Sequence, residues 1–136
     1  MEAGISTFPC NPKNKKPECR SWRPKASNGQ SRPLTLDEGH SCWISLKQRA
    51  QDMMVGLDCE VLRVVVIDLD RNKGERSDSD GVAEFQTLCD EHGIERAHTV
   101  LVTTPSGGQH LYFADPDGRW GNSTSALAPG IDTRGV

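Results

Sequence analysis

The clearest chemical signal in this sequence is a pair of aspartates at the end of an apolar run. The stretch VVVIDLD, residues 64–70, leads directly into Asp68 and Asp70. Alternate residues of a β-strand face the same side, so both carboxylates point together while Leu69 faces the other way. Two carboxylates this close are costly in an apolar setting unless a cation neutralises them, and hard divalent ions prefer oxygen ligands. We therefore predict a Mg²⁺ or Mn²⁺ site, the alternative being an acidic strand end in contact with water.

A second signal is the stretch TTPSGGQHLYF, residues 103–113. Gly107 and Gly108 let the backbone approach a ligand closely and leave amide N–H groups able to meet an anion. Ser106 adds a hydroxyl donor, and His110 opens the next strand, where its imidazole can donate to a phosphate oxygen. The alternative is a hairpin turn that needs glycine, followed by a structural histidine.

Two other uses of the aspartate pair compete with this interpretation. A calcium loop of the EF-hand type fits Asp68, Asp70 and Asn72, but its sixth position is Lys73 instead of Gly and its twelfth is Ser79 instead of Glu. In addition, a predicted strand precedes Asp68, whereas an EF-hand loop follows a helix, so the calcium-loop interpretation fails. A haloacid-dehalogenase-like phosphatase also has D-x-D after an apolar strand, the first Asp as nucleophile and the second as acid/base. That family usually has Thr or Val where this chain has Asn72.

Three ordered stretches, VVVIDLD, TPSGGQHLYF and LAPGIDTRG, occur together in this chain. In combination the sequence resembles the N-terminal domain of bifunctional DNA primase/polymerases (prim-pol), in the archaeo-eukaryotic primase superfamily. The resemblance is good over residues 61–135, and FPCNPKNKKP gives a looser one over residues 5–20. It also implies a glycine-rich strand before the first motif, for which MVGLDCE is the available match.

The resemblance implies a set of site residues. The metal-binding and catalytic carboxylates would be Asp68, Asp70 and Asp132. The groups near the incoming nucleotide would be His110, also catalytic, with Ser106, Gly107, Gly108, Lys16 and Arg134. The implied reaction is two-metal nucleotidyl transfer from a nucleoside triphosphate to a 3′-hydroxyl during DNA replication, using Mg²⁺ or Mn²⁺. The implied partners are template and primer DNA and nucleoside triphosphates, with a helicase domain or protein as a candidate further partner.

The elements that must position these residues follow from the apolar pattern. A capping box at Thr35 predicts a helix whose apolar spacing continues to Leu57. Strands are predicted over residues 61–67, 99–104 and 109–114, the last two as a hairpin, and a helix over 80–92 that ends at Gly93. Asp115 to Gly118 is predicted to form a turn. This order predicts an α+β protein, that is, a sheet combined with helices (mixed α/β), and the resemblance implies a primase-polymerase fold with an RRM-like catalytic half.

The chain is predicted to have two parts. Residues 1–34 form a basic irregular segment with a short strand over Ile5–Phe8, and residues 35–136 form a partial catalytic domain. Family domains continue past the third motif with another strand and further helices, so we expect a truncated domain whose sheet is incomplete at the C-terminus. The alternative function is therefore a non-catalytic nucleic-acid or nucleotide-binding remnant.

Composition limits the partners and the compartment. Residues 1–36 hold seven Lys or Arg and two Glu, a net charge of +5, whereas the remainder carries −8. A basic arm before an acidic body suggests that the arm meets phosphates.

The five cysteines are odd in number and lack a C-x-x-C pair, which favours free thiols, with a Cys10/Cys19 pair as the alternative. No apolar stretch approaches the roughly 18 residues of a membrane span, so we expect no membrane and a cytoplasmic location.

Overall fold

The computed structural model describes residues 7–71, 79–95 and 98–136. These residues divide into two compact units, one ending at Leu62 and the other beginning at Arg63. The first contains a two-stranded sheet and the second a four-stranded sheet, both antiparallel, with few helices. The composition is that of an α+β protein, as the sequence predicted.

The first unit consists of strand β1 (Thr7–Cys10), helix α1 (Leu36–Ile44), a 3₁₀ helix (Lys47–Asp52), strand β2 (Met54–Leu57) and helix α2 (Cys59–Leu62). The second consists of β3 (Val64–Leu69), α3 (Gly81–Glu91), β4 (Val100–Thr103), β5 (Gln109–Ala114) and β6 (Ile131–Arg134). No helix among the described residues is both long enough and apolar enough to span a bilayer.

In the first unit, a disulfide bond joins the irregular segment after β1 to helix α1. It links Cys19 to Cys42 across 23 residues of sequence, and Cys10, Cys59 and Cys89 are free. The prediction of free thiols is therefore wrong for Cys19 and Cys42. Cys10 is not part of the pair, since the fold brings α1 beside the chain at Cys19, a contact that sequence spacing could not reveal.

Helix α1 begins as predicted and ends earlier. The hydroxyl of Thr35 accepts from the backbone N–H of Glu38, whose carboxylate accepts from the backbone N–H of Thr35. The helix stops at Ile44 instead of continuing to Leu57, and Lys47 has a positive φ of 52°. The apolar spacing failed as a predictor because residues 54–57 pair as β2 with β1, so a tertiary contact overrides the local periodicity.

Strand β3 begins at Val64, three residues later than predicted. The residues before it form α2, whose start is capped by Asp58: its Oδ1 accepts from the backbone N–H groups of Glu60 at 3.1 Å and Val61 at 3.4 Å. Arg63 then adopts a positive φ of 53°, which separates the helix from the strand. A side-chain cap thus decides the strand boundary, because an apolar run by itself does not distinguish a helix from a strand.

The second unit is a sheet in the order β4-β5-β3-β6 with a helix on one face. Its core is the fully buried cluster of Leu69, Leu111 and Ile131, one residue from each of the three neighbouring strands. Three residues of α3 pack against this cluster: Val82, Phe85 and Leu88. Since side chains alternate along a strand, the residues between these core positions face the opposite side of the sheet.

Helix α3 and the hairpin agree with the sequence prediction. Asp80 caps α3 by accepting from the backbone N–H groups of Val82 and Ala83, and the bond from Ala83 contributes most to lowering the pKa of Asp80. Gly93, with φ of 62°, follows the end of the helix. Strands β4 and β5 pair as the predicted antiparallel hairpin, and the turn from Asp115 to Gly118 closes through a 3.1 Å backbone hydrogen bond.

Two predicted features fall partly on residues that the structure does not describe. Ile5 and Ser6 of the predicted first strand are outside the described part, and β1 begins at Thr7. Residues 72–78 of the polar loop after β3, which include Asn72 and Lys73, are also outside it.

Candidate active site

The register of the second sheet aligns three polar residues across three neighbouring strands. Asp68 of β3 lies opposite His110 of β5 on one side and opposite Asp132 of β6 on the other. Residues directly opposite each other in antiparallel strands project from the same face of the sheet. These three side chains therefore occupy the face opposite to the core that α3 covers.

Asp70 completes a cluster of carboxylates at the end of β3. Asp68, Asp70 and Asp132 each contribute a carboxylate oxygen such that these atoms lie within 4.8 Å of one another. Asp132 is only 1% exposed, whereas Asp68 and Asp70 are half-buried. The structure thus brings Asp132, which only the family resemblance linked to the site, together with the pair Asp68 and Asp70 that strand alternation predicted.

The backbone of Asp70 is held from two sides. Its N–H donates to the carbonyl of Gly130 at 2.8 Å, and its own carbonyl accepts from the N–H of Gly81 at 2.8 Å. A Cβ at Gly81 would lie 2.1 Å from the carbonyl oxygen of Gly130, closer than any side chain allows. The end of β3 therefore contacts both the first residue of α3 and the loop before β6, and this close approach requires glycine.

The buried carboxylate of Asp132 has partners on both oxygens. Its Oδ1 accepts from the backbone N–H of Ser125 at 2.9 Å, and its Oδ2 accepts from Nη2 of Arg134 at 2.8 Å. The same guanidinium nitrogen lies 3.6 Å from Oδ2 of Asp68. These contacts compensate for moving a charged group out of water, which would otherwise be strongly unfavourable.

His110 lies beside the carboxylate of Asp68, with its Nε2 at 3.2 Å from Oδ1 of Asp68. The imidazole side chain is 34% exposed, so a solvent-borne ligand can reach it. Its ring also meets Tyr112, two residues further along the same face of β5, in an edge-on contact with centroids 6.4 Å apart. His110 is therefore positioned both to orient Asp68 and to meet a ligand above the sheet.

The glycine-rich turn between β4 and β5 lies next to the end of β3. Two backbone hydrogen bonds of 2.9 Å close the turn, from Thr104 N–H to the Gly108 carbonyl and from Gly107 N–H to the Thr104 carbonyl. Gly107 has φ of 82°, and a Cβ at Gly108 would lie 2.5 Å from the carbonyl oxygen of Leu69. The hydroxyl of Ser106 is exposed and lies 3.1 Å from that of Thr104. The backbone geometry by itself therefore requires glycine at both positions.

The two basic residues predicted to contact phosphate have different surroundings. Arg134 lies on β6 within the carboxylate cluster. Lys16 belongs to the first unit, where its side chain is exposed in the turn between Cys10 and Pro17. The prediction for Lys16 therefore concerns a residue of the other unit.

Three residues that shape the cluster were not singled out from the sequence: Gly81, Ser125 and Gly130. Ser125 acts through its backbone N–H, so its side-chain type carried no signal. Gly130 lies inside the third motif, LAPGIDTRG, and Gly81 follows the helix cap Asp80. A glycine in the first turn of a predicted helix is unfavourable for helix formation, and this is the signal by which Gly81 could have been found.

Comparison with protein families decides where this arrangement belongs. The family described as "Bifunctional DNA primase/polymerase, N-terminal" matches residues 1–136, the whole chain. The chain belongs to this family. Among curated proteins, none matches this prim-pol chain.

Family membership gives the carboxylates on this face of the sheet a chemical context. Prim-pol enzymes are nucleotidyltransferases, and the family implies nucleic-acid and nucleotide substrates. Three carboxylates with oxygens this close form a donor set that suits hard divalent cations such as Mg²⁺ and Mn²⁺. The residues of this prim-pol chain thus fit the divalent metals that the family usually uses.

Proposed function

We propose that this chain is a prim-pol catalytic domain that transfers nucleotides from nucleoside triphosphates to a 3′-hydroxyl on DNA. The observation that supports this most directly is the alignment of Asp132, Asp68 and His110 across β6, β3 and β5, with Asp70 beside them, in a chain matched throughout by the family. The primase-polymerase fold with an RRM-like half agrees with the four-stranded antiparallel sheet and one covering helix.

In this proposal the three carboxylates hold Mg²⁺ or Mn²⁺. Asp68 and Asp70 are the more exposed ligands and face the substrate, while Asp132 is anchored by Ser125 and Arg134. Bound divalent ions supply activation of the attacking hydroxyl and neutralisation of the charge that develops on the transferred phosphoryl group. The protein contributes the fixed positions of its oxygens, because a rigid donor set needs no reorganisation during the reaction.

The triphosphate is assigned to the groups beside the carboxylates. His110 is exposed enough to donate to a phosphate oxygen, and its contact with Asp68 keeps the imidazole oriented toward the cluster. Gly107, Gly108 and Ser106 offer backbone N–H groups and a hydroxyl in the adjoining turn. These roles match those that the family resemblance implied.

The basic segment of residues 1–34 is assigned to the DNA backbone, with residues 35–136 as the catalytic domain. Five of its basic side chains are exposed: Lys13, Lys15, Lys16, Arg20 and Lys25. Arg23 and Arg32, in contrast, form ion pairs with acidic residues of the same unit. Exposed cations bind phosphates and release counterions, so their contribution falls as salt rises. The cytoplasmic location and a helicase partner stay predictions from the sequence.

Primer extension tests the proposal. The chain is incubated with a primed DNA template, deoxynucleoside triphosphates and either Mn²⁺ or Mg²⁺, and extension is compared between the wild type and Asp68→Asn. We expect extension that EDTA stops and that Asp68→Asn lowers by roughly a thousandfold, because the substitution removes a ligand charge without changing side-chain volume. The matched control is Asp117→Asn, an exposed aspartate of the turn after β5, which should extend normally.

The same assay separates the alternatives. DNA binding that weakens with salt, with no incorporation under any metal, would identify a non-catalytic nucleic-acid-binding module and refute the enzyme. Hydrolysis of a phosphate monoester that requires Asp68, again without incorporation, would favour the phosphatase. Extension that is unchanged in Asp68→Asn would refute the assignment of the site itself.

A further inference from the structure

Arg134 is a positive charge built into the carboxylate cluster. Two residues after Asp132 on β6, it shares the face of that residue, and its Nη2 lies 2.8 Å from Oδ2 of Asp132. The same nitrogen is 3.6 Å from Oδ2 of Asp68 on the neighbouring strand. One guanidinium group therefore bridges carboxylates of two strands, using oxygens of the same groups that are assigned to the metal.

We propose that Arg134 is an internal counter-cation that competes with the divalent metal for Asp132 and Asp68 and thereby lowers the metal affinity of the cluster. The inference rests on the proposed metal site. It differs from the phosphate-binding role predicted for Arg134, because it concerns the contact of the guanidinium with the carboxylates and needs no nucleotide.

The unequal burial of Asp132 and Arg134 supports an exchange of the guanidinium group for a metal ion at Asp132. Asp132 is 1% exposed, so its carboxylate needs a cation or hydrogen-bond donors at all times. The side chain of Arg134 is 42% exposed, so its guanidinium can turn into water and stay hydrated. Exchanging the guanidinium for a divalent ion therefore leaves no buried charge without a partner.

Competition between Arg134 and the metal for the carboxylates predicts a result that a purely structural ion pair between Arg134 and Asp132 does not. If Arg134 must yield an oxygen to the metal, replacing it with a neutral residue strengthens metal binding. If Arg134 only fixes the orientation of Asp132 while the metal uses other oxygens, the same replacement leaves metal binding unchanged or weakens it. The direction of the change in affinity thus distinguishes the two roles.

The experiment measures Mn²⁺ binding, without nucleotide or DNA, from the electron paramagnetic resonance signal of the free ion. The variants are the wild type, Arg134→Gln and, as matched control, Arg119→Gln, which removes an exposed arginine paired with Asp117 in the same unit. We expect Arg134→Gln to bind Mn²⁺ about five- to tenfold more tightly, the scale of one partly exposed ion pair. Arg119→Gln should bind like the wild type.

The outcomes separate this inference from the function on which it rests. Wild-type binding that Asp68→Asn abolishes, with no gain in Arg134→Gln, overturns the competition and leaves the metal site standing. Absence of Mn²⁺ binding in the wild type and in Arg134→Gln alike overturns the proposed metal site, and the competition with it.

A second measurement covers the case in which Arg134→Gln loses its native circular dichroism spectrum. The side-chain Nε–H resonance of Arg134, assigned by its disappearance in Arg134→Lys, is followed in the wild type during a Mg²⁺ titration. Competition requires this resonance to shift with the same midpoint as metal binding. A resonance that stays unchanged through saturation would overturn the proposal.

Discussion

Residues 7–62 form two paired strands with a disulfide bond and several ion pairs, whereas the described residues from Arg63 onward form a four-stranded sheet over an apolar core. In the first unit, Arg23 contacts Asp58 through two hydrogen bonds of 2.6 and 2.8 Å and lies 4.5 Å from the ring of Trp22. In the second, Leu69, Leu111 and Ile131 are almost entirely buried beneath α3.

The difference between the two units shows what fixes the distances between side chains in each of them. A two-stranded sheet is marginal by itself, so the first unit depends on cross-links between distant parts of an irregular chain. The second unit depends on strand register, which gives each strand residue a fixed opposite neighbour on every adjoining strand. The carboxylates lie in the second unit, where register determines the distance between side chains and a small apolar core supports it.

The largest effect is expected from truncating the core of the second unit. Leu69→Ala removes a side chain of 0% exposure from the centre of the buried cluster, and should lower the free energy of unfolding by about 4 kcal/mol. The matched control is Leu101→Ala on the edge strand β4, where the side chain is 44% exposed and the cost should be about 1 kcal/mol. Urea denaturation with hydrogen exchange in β3 and β5 measures both, and equal losses would contradict this description of the core.

The next effect concerns the cross-link of the first unit. Replacing Cys19 and Cys42 together by Ser opens a loop of 23 residues, which in the chain-entropy account costs about 3 kcal/mol. Hydrogen exchange should accelerate in β1 and α1, whereas the segments of β3 and β5 should keep their protection. Cys59→Ser, which changes a free cysteine of the same unit, is the control. Unchanged exchange in α1 would show that the disulfide does not support this unit.

The smallest effect is a pH dependence at the start of α1. Hydrogen bonds from Arg32 and from the backbone N–H of Thr35 lower the pKa of Glu38 from 4.5 to about 2. A lowered folded-state pKa means that this stabilisation is present above about pH 4.5 and is lost as the pH falls toward 2. We expect protection of α1 to decline over that interval in the wild type and to decline less in Glu38→Gln, as measured by hydrogen exchange. The same decline in both proteins would rule out Glu38 as the responsible group.

Local signals predicted much of the second unit. The apolar pattern of residues 80–92 and the stop at Gly93 predicted α3, and the glycine-rich turn joins β4 and β5 as the predicted hairpin. These features succeed because their causes lie within a few residues of sequence. The alternation of a strand likewise places Asp68 and Asp70 on one side without any knowledge of the fold.

Features that depend on distant contacts were missed or misassigned. The periodicity after α1 suggested more helix, but residues 54–57 pair with β1, which lies more than forty residues earlier in the sequence. The pairing of Cys19 with Cys42 likewise depends on where α1 lies beside the chain. The phosphate role that the resemblance implied for Arg134 stays a prediction, but its contact with two carboxylates, which depends on the position of β6, was missed.

The sequence by itself determined the types of chemical group, the pairing of Asp68 with Asp70 and the local turns, since all of these arise from neighbouring residues. Only the tertiary structure decided that Asp132, more than sixty residues later, lies opposite Asp68, and that His110 flanks Asp68 on the other side. The physical reason is that hydrogen-bond register between strands is a collective property of the folded sheet. A one-residue shift of β6 would turn Asp132 toward the apolar core, where its charge would have no partner.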